Sequence, residues 1–373
     1  MKVKLGDIFE ISSGGTPLKS CPEYYGGDIP WVKTGDLKSE YIYGVEDFIT
    51  EDGLRNSSAK MYEEDTVLIA MYGATIGATS ILKISACTNQ ACAAFIRNDK
   101  VIPEYLYYFL KSQKKKFVKD GVGGAQPNIS AGYLKKVEME LLSIEEQRIV
   151  VDILDRITNI INRRNQELIA LDNLIKARFV EMFGLPVSNT KGWQTELMED
   201  VAPIVNYKGK FDEEIWLLNL DMVEAQTGRI LDYLIVNEDE VGNSTCTFDA
   251  SNVLYSKLRP YLNKVVMPDR CGYATSELIP LQPVNTKINR EYLAFMLRSD
   301  EFVNMINEKV AGAKMPRVSM GDFRKFSVPV PPIELQNQFA DFVDQVDKSE
   351  VAVQKALDET QLLFDSLMQQ YFG

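Results

Sequence analysis

The stretch Gly-Gly-Ala-Gln-Pro-Asn-Ile-Ser at residues 123–130 returns as Gly-Ala-Lys-Met-Pro-Arg-Val-Ser at residues 312–319. The same offset of 189 residues holds without a gap as far as the Phe-Gly pairs at 183–184 and 372–373. Solenoid repeats have periods of roughly 20–50 residues, so this duplication is of another kind. The chain reads as two similar halves, and such a chain is suited to gripping a partner at two places.

Each half closes with a segment whose apolar residues recur in alternating steps of three and four. In the first half they are Val150, Leu154, Ile157, Ile161, Leu168, Leu171 and Ile175. In the second half they are Phe339, Val343, Val346, Val353, Leu357, Phe364 and Leu367. This pattern predicts the seam of a coiled coil about five heptads long.

The length of these segments favours pairing of the two helices over two separate helices. A long amphipathic helix could instead lie on its own domain, but about 40 residues at 1.5 Å each span about 60 Å, more than such a domain needs. The first helix leads away from its domain and the second returns, so we expect antiparallel pairing. A capping box formed by Ser143 and Glu146 predicts where the first helix begins.

The opening part of each half carries short β-branched and apolar runs separated by Gly, Pro and Asn, which is typical of strands. Glu-Tyr-Leu occurs at both 104–106 and 291–293 and predicts a short helix in each half. The predicted fold class is therefore α+β, with two similar domains, two long helices and a pseudo-twofold internal repeat. The predicted segments are 1–142, 143–184, 185–331 and 332–373.

The two halves share matching strand segments but differ in the loops that follow those segments. Residues 67–70 match 253–256, yet the segments that follow, 71–77 and 257–261, diverge in sequence. Related domains that keep one frame and vary their loops are suited to binding two different ligands.

Composition narrows the class of protein. The chain has 373 residues and five cysteines without metal-ligand spacing. It has no histidine, which removes the commonest general base and the commonest zinc ligand. We expect reduced thiols and a cytoplasmic location, since neither a membrane span nor a signal peptide is visible. Catalytic motifs are also missing: residues 14–20 lack the glycine that precedes lysine in a phosphate loop. The chain is predicted to be a non-enzyme.

The net charge of −12 is unevenly distributed. Residues 332–373 carry two basic and eight acidic residues, whereas residues 1–142 are nearly balanced and contain five lysines between 111 and 119. A protein that binds DNA unaided usually shows a basic excess. We therefore expect another chain to supply part of the phosphate neutralisation if the ligand is DNA.

Several blocks closely resemble the specificity subunits of type I restriction–modification enzymes. They are Leu-Gly-Asp-Ile-Phe-Glu-Ile-Ser-Ser-Gly-Gly-Thr-Pro at 5–17, Gly-Asp-Ile-Pro-Trp-Val-Lys-Thr-Gly-Asp-Leu at 27–37, Asn-Ile-Ser at 128–130, Ile-Glu-Glu-Gln at 144–147 and Val-Leu-Tyr-Ser-Lys-Leu-Arg-Pro-Tyr at 253–261. The resemblance covers essentially the whole chain, including its order of domain, helix, domain and helix.

The resemblance implies two target recognition domains on double-stranded DNA, separated by helices that set their spacing and dock two methyltransferase subunits. It also implies restriction or translocase subunits. S-adenosylmethionine and ATP would then bind those partner subunits, and no cofactor, metal or membrane is expected for this chain. The DNA target should be bipartite, with about one helical turn between the centres of its two words.

Bases are read by side chains with paired donors and acceptors. The candidates in the first domain are Lys19, Lys33, Thr34, Tyr72, Thr75, Gln126 and Asn128. Those in the second domain are Asn219, Lys257, Arg259, Lys314 and Arg317. Each could equally be a turn residue or a phosphate contact. Lys314 and Arg317 are favoured, because they share a Gly-containing loop whose counterpart carries Gln126 and Asn128.

Two alternatives belong to other classes. A self-sufficient enzyme would methylate or cut DNA by itself, and the missing motifs disfavour it. A coiled-coil scaffold that binds only proteins would show no DNA sequence preference, even with its partners present.

Overall fold

The computed structural model describes residues 1–121, 128–211, 215–237, 240–311 and 315–373. The chain forms two compact units: unit 1 comprises residues 1–164 and 356–373, and unit 2 comprises residues 165–355. Each unit therefore holds one of the two domains together with one part of each long helix.

Unit 1 is built on short strands. They are β1 (Lys2–Lys4), β2 (Ile11–Ser13), β3 (Tyr25–Val32), β4 (Tyr41–Ile42), β5 (Phe48–Ile49), β6 (Met61–Tyr62), β7 (Val67–Ala70), β8 (Thr79–Leu82), β9 (Ala86–Thr88), β10 (Cys92–Phe95) and β11 (Glu138–Glu140). The helices up to the first long one are α1 (Leu5–Ile8), α2 (Glu51–Arg55), α3 (Pro103–Ser112), α4 (Lys114–Asp120), α5 (Ala131–Leu134) and the long helix α6 (Ile144–Phe183).

Unit 2 repeats this order. Its strands are β12 (Thr195–Leu197), β13 (Ile215–Leu218), β14 (Leu234–Val236), β15 (Thr245–Phe248), β16 (Val253–Ser256), β17 (Val265–Val266), β18 (Gly272–Thr275), β19 (Leu278–Leu281), β20 (Val310–Ala311), β21 (Arg317–Val318) and β22 (Ser327–Pro329). Its helices are α7 (Met198–Val201), α8 (Arg290–Arg298), α9 (Asp300–Glu308), α10 (Met320–Arg324) and the long helix α11 (Ile333–Phe372).

The main sheets of the two units share the same order of central strands. The order β5-β3-β9-β6 in unit 1 matches β14-β13-β18-β15 in unit 2, and in both sheets the two middle strands are parallel. The order β10-β7-β8 likewise matches β19-β16-β17, and the pair β1-β11 matches β12-β22. The internal repeat is thus present at the level of strand pairing, and mixed sheets with separate helices make each domain α+β.

The long helices pack against the domains through apolar side chains. In unit 1 the beginning of α6, with Val150 and Leu154, shares a buried cluster with Phe364 and Phe372 near the end of α11. In unit 2 the end of α6, with Phe179 and Phe183, shares a cluster with Phe339 at the beginning of α11. Each unit therefore brings the beginning of one long helix together with the end of the other.

These contacts confirm the predicted fold class of two similar domains and a pair of long antiparallel helices. The predicted capping box is also present: Glu146 N donates to Ser143 Oγ at 3.3 Å and Ser143 N donates to Glu146 Oε2 at 2.9 Å. The pKa of the exposed Glu146 carboxylate is lowered by the hydrogen bonds that Ser143 Oγ and Ser143 N donate to its Oε2.

All five cysteines are free, and burial raises the pKa of Cys87 and of Cys92 to about 12, so these two are inert core residues. Within the described ranges, no helix is both long and apolar enough to cross a membrane.

Candidate nucleic-acid interface

A loop at the end of β7 brings three predicted residues of unit 1 together. Tyr72 forms an isolated antiparallel bridge with Asn128, and the next backbone bond joins Ile129 N to Met71 O at 3.0 Å. Tyr72 is 44% exposed, and Thr75 Oγ1 donates to its carbonyl oxygen at 3.1 Å. Tyr72, Thr75 and Asn128 thus form one polar, accessible group on a buried frame.

Gly77 explains how this loop lies so close to α4. Its φ is +78°, and a Cβ there would come within 2.9 Å of Lys114 Cγ. The Tyr72 loop and the first turn of α4 are therefore neighbours. The lysines of α4 at 114, 115, 116 and 119 are exposed, which suits them to contacting phosphate beside this loop.

The corresponding loop of unit 2 has the same backbone with different side chains. Leu258 bridges Arg317 as Tyr72 bridges Asn128, and Val318 N donates to Lys257 O at 2.9 Å. Arg259 adopts the left-handed region with φ 49°, and its amide donates to Pro316 O at 2.8 Å. Lys257, Arg259 and Arg317 are therefore brought together at this place.

The helix beside the loop differs in charge between the units. In unit 2 the helix α9, which packs on the turn Pro260–Leu262, has Asp300 and Glu301 in its first turn, where α4 has three lysines. The basic side chains of unit 2 lie on the loop itself rather than on the neighbouring helix. The two halves thus present positive charge in different ways.

A second pair of predicted sites follows the middle strand of the other sheet. Lys33 and Thr34 come directly after β3, and Asn219 comes directly after β13. All three are partly buried and border 3-10 turns. Lys33 Nζ lies 2.5 Å from Asp47 Oδ2 and 5.2 Å from the centre of the Trp31 ring, so its ammonium already has intramolecular partners.

Lys19 is presented by a tightly packed glycine loop. Gly15 N donates to Thr88 O at 2.9 Å, and Trp31 Nε1 donates to Gly15 O at 3.1 Å. A Cβ on Gly14 would lie 2.0 Å from Thr88 O, so only glycine fits there. Lys19 itself is exposed. The Gly-Gly-Thr-Pro segment is thus a rigid support.

Unit 2 lacks this support at the equivalent tryptophan. Trp216 corresponds to Trp31 and is buried, but within the described ranges its Nε1 has no hydrogen-bond partner. The ring instead contacts Arg270, whose guanidinium carbon lies 4.9 Å from the ring centre. The opening loops of the two domains therefore differ in structure.

Two predicted residues, Gln126 and Lys314, lie outside the described residues. The predicted seam residues are all buried or partly buried: Val150, Leu154, Ile157, Ile161, Leu168, Leu171, Ile175, Phe339, Val343, Val346, Val353, Leu357, Phe364 and Leu367. Many of them face a domain as well as the partner helix. Phe339, for example, lies 5.5 Å from Phe179 and 5.4 Å from Phe295 between ring centres.

Lys111 has a different role from the four lysines of α4. Its ammonium lies 5.3 Å from the Tyr107 ring centre and 5.6 Å from that of Phe364 on α11. Desolvation lowers its pKa, and Arg298 holds the equivalent position in unit 2 with a pKa lowered to about 10 for the same reason. Both cations therefore belong to the packing of a domain on the long helices.

Sequence reasoning missed Glu277, which lies between β18 and β19. Arg317 Nη2 donates to Glu277 Oε1 at 2.9 Å, and Arg317 Nε points to Oε2 at 3.4 Å. The two residues are 40 positions apart, and no motif links them. The carboxylate reaches the guanidinium only in the folded domain. There the segment between β18 and β19 carries Glu277, and the Leu258–Arg317 bridge holds the arginine beside it.

In the part of the chain that the structure describes, no group of three or more Cys, Asp or Glu side chains could hold a metal ion. The polar groups that converge are donors and acceptors suited to binding rather than to bond cleavage.

Comparisons with known proteins agree with this geometry. The family model of the type I restriction modification DNA specificity domain matches residues 1–170 and 191–360. The type I restriction enzyme MjaIX specificity subunit of Methanocaldococcus jannaschii is 25% identical, covering 98% of this chain and 90% of the relative. The EcoDI specificity subunit of Escherichia coli is 23% identical, covering 99% and 87%.

A solved structure shows the same fold. A chain from work on complex assembly and conformational transition of the type I R-M system aligns over 100% of this chain and 97% of its own length. The TM-score is 0.63 at 15% sequence identity. With two copies of the specificity domain in one sequence and full-length relatives of the same kind, this chain belongs to the type I restriction modification DNA specificity family.

Proposed function

We propose that this chain is the specificity subunit of a type I restriction–modification complex, in which each domain reads one word of a bipartite DNA target. As a specificity subunit it recognises DNA and is not itself catalytic. The observation that supports two different words is the pair of equivalent loops, in which Tyr72 and Asn128 stand where unit 2 has Leu258 and Arg317.

The domains that carry these loops are proposed to be residues 1–142 and 185–331, and the spacer helices residues 143–184 and 332–373. The helices set the distance between the two words because each begins or ends in the core of a domain. Phe372, near the end of α11, lies 5.3 Å from Tyr105 between ring centres, and Phe183, near the end of α6, lies 4.7 Å from Tyr292.

The long helices also offer surface for protein partners. Large apolar side chains that remain 44–71% exposed occur along both of them, namely Ile149, Ile160, Ile169, Leu174, Val180, Val351, Leu362 and Leu363. Exposed apolar side chains on a helix are suited to docking another protein. We propose two methyltransferase subunits as the occupants, with restriction or translocase subunits joining them.

The partners complete the chemistry. The methyltransferase subunits would bring S-adenosylmethionine and the translocase subunits ATP, so neither cofactor is assigned to this chain. The methyltransferase subunits would also supply the positive charge that this acidic chain, with a net charge of −12, lacks.

The experiment is to express the chain with the methyltransferase subunits of its own system in a host without other DNA methyltransferases. Methylation-aware sequencing of the host DNA then gives the target. The proposal predicts one bipartite motif with two unrelated words and an indifferent spacer. A scaffold without DNA preference predicts that no motif is found.

A further inference from the structure

Arg317 and Glu277 form a side-on ion pair in unit 2. The guanidinium presents its Nε and Nη2 atoms to the two carboxylate oxygens, at 3.4 and 2.9 Å. The guanidinium is a rigid planar fork, so a carboxylate on the Nε–Nη2 edge leaves the edge between Nη1 and Nη2 pointing elsewhere. The Arg317 side chain is 49% exposed and that of Glu277 is 24% exposed, so the arginine stands further out into solvent.

The backbone holds both partners of this pair in place. Lys257 N donates to Glu277 O at 3.0 Å, and Val318 N donates to Lys257 O at 2.9 Å. Glu277 directly precedes β19, and Arg317 opens β21 and also bridges Leu258. The residue that follows β16, Lys257, therefore connects the segment of the arginine to the segment of the carboxylate through its backbone.

Unit 1 shows that the fold does not require this pair. Met71 N donates to Ala91 O at 2.8 Å, as Lys257 N donates to Glu277 O in unit 2, so Ala91 holds the place of Glu277. The place of Arg317 is held by Asn128. The same frame is thus built in unit 1 without the carboxylate and without the arginine, which points to a role for both in binding.

Donor geometry decides the ligand. The edge of Arg317 between Nη1 and Nη2, which has no partner among the described residues beyond Glu277, offers parallel N–H groups and no acceptor. In the major groove guanine alone presents two acceptors side by side, O6 and N7. We propose, building on the DNA-reading function above, that Arg317 reads a guanine in the second word and that Glu277 is the positioning residue that aims it. Lys257 and Arg259, on the same loop, add positive charge at this place.

An ordinary surface ion pair is the competing explanation. Such a pair contributes little to stability and would have no effect on which DNA bases are bound. The two explanations differ in what happens when only the carboxylate is removed. In the guanine-reading case the arginine remains but loses its fixed direction, so discrimination at a single base pair falls.

The test uses the complex with its methyltransferase subunits and a library in which every position of the two words is varied. We expect a guanine in the second word whose identity is lost in Arg317→Ala. In Glu277→Ala, which installs the residue that unit 1 carries, discrimination at that same position should fall about tenfold, since a good bidentate contact contributes about that much or more. Discrimination at that position in Glu277→Gln should lie between that of the unaltered chain and that of Glu277→Ala.

The control is Glu196→Ala, which should leave both words unchanged. It breaks another ion pair of the same domain, a partly exposed one in which Glu196 Oε2 lies 2.5 Å from Lys287 Nζ. Three results would overturn the proposal: an unchanged motif in Glu277→Ala, a relaxed position that is not a G·C pair, or uniform weakening on all sequences in Arg317→Ala. In each of them the first word is still read, so the general function stands. Absence of any bipartite motif for the unaltered chain would instead refute the general function.

Discussion

The side-chain amide of Gln336 donates a hydrogen bond to the carbonyl oxygen of Lys287 at 2.9 Å. The same amide nitrogen donates to Pro331 O at 2.8 Å, and the amide oxygen accepts from Asn289 N at 2.9 Å. Gln336 is fully buried in the first turn of α11, and the bonds tie that turn to the segment that leads into α8.

Gln147 repeats this arrangement in unit 1. Its nitrogen donates to Lys100 O at 2.9 Å and to Leu142 O at 3.0 Å, while its oxygen accepts from Ile102 N at 2.9 Å. Each long helix is therefore fastened to its domain by one glutamine that satisfies three backbone groups. The relation of a domain to its helix is fixed at this point.

Replacing Gln336 with leucine should destabilise unit 2 by at least about 2 kcal/mol, because three buried backbone groups lose their partner. Urea denaturation monitored by tryptophan fluorescence measures this. Gln338→Leu changes an exposed glutamine of the same helix and should stay within about 0.5 kcal/mol. Equal effects of the two substitutions would contradict the role of the buried amide.

The duplicated frame could be predicted from the sequence, whereas these glutamines could not be given a role. The offset of 189 residues pairs Gln147 with Gln336, and the apolar steps predict the seam from Val150 to Ile175. Two of the three hydrogen-bond partners of each glutamine lie 45 to 49 residues away, and no periodicity of the sequence encodes such a contact.

For the candidate site, the sequence pointed to the loops but not to the contacts of their side chains. The sequence identified the loops that carry Tyr72, Asn128 and Arg317, because they lie where a shared frame diverges. It assigned Lys111 to a basic stretch, although tertiary packing sets its ammonium over Phe364. It missed Glu277, since a carboxylate opposite an arginine is visible only once the sheet is formed.

Asn128→Ala should change only the first word of the target. The residue lies beside Tyr72 in unit 1, and an asparagine amide can bond adenine N6 and N7 together. Motif mapping should show about a tenfold loss of discrimination at one position of the first word, with the second word unchanged. Loss of preference in the second word would contradict the assignment of one word to each unit.

Leu154→Ala and Leu362→Ala make a matched pair in unit 1. Leu154 is fully buried in the core, so its truncation should cost about 2–5 kcal/mol, whereas Leu362 is 71% exposed and should cost below about 0.5 kcal/mol. If α11 docks a partner, Leu362→Glu should nevertheless weaken co-purification with the methyltransferase subunits. Undiminished assembly would show that this face is not the docking surface.

The carboxyl group of Asp347 predicts a dependence of stability on pH. Desolvation raises its pKa above the ordinary value of 3.8, against the attraction of Arg298 and Arg229. A raised folded-state pKa contributes stability that is fully present below the unfolded pKa and is lost as pH rises through the folded pKa. Glu350 on the same helix is shifted in the same direction, mainly by desolvation.

Asp347→Asn should therefore gain stability relative to the unaltered chain as the pH rises from about 4 to 7. Urea denaturation at several pH values measures the difference in unfolding free energy between the two proteins. Asp269 is an exposed residue whose pKa is lowered chiefly by its bond to Arg270, so Asp269→Asn should show the opposite trend, and only below about pH 4. A difference for Asp347→Asn that does not vary with pH would show that this carboxyl does not titrate differently on folding.

The central claim is that the paired helices set the distance between two separately read words. It is tested most directly by removing one heptad from each helix, residues 161–167 and 353–359, and mapping the methylated motif. Seven residues at 1.5 Å shorten each helix by about 10 Å, or about three base pairs at 3.4 Å. The account predicts the same two words separated by a spacer about three base pairs shorter; the original spacer between unchanged words would contradict it.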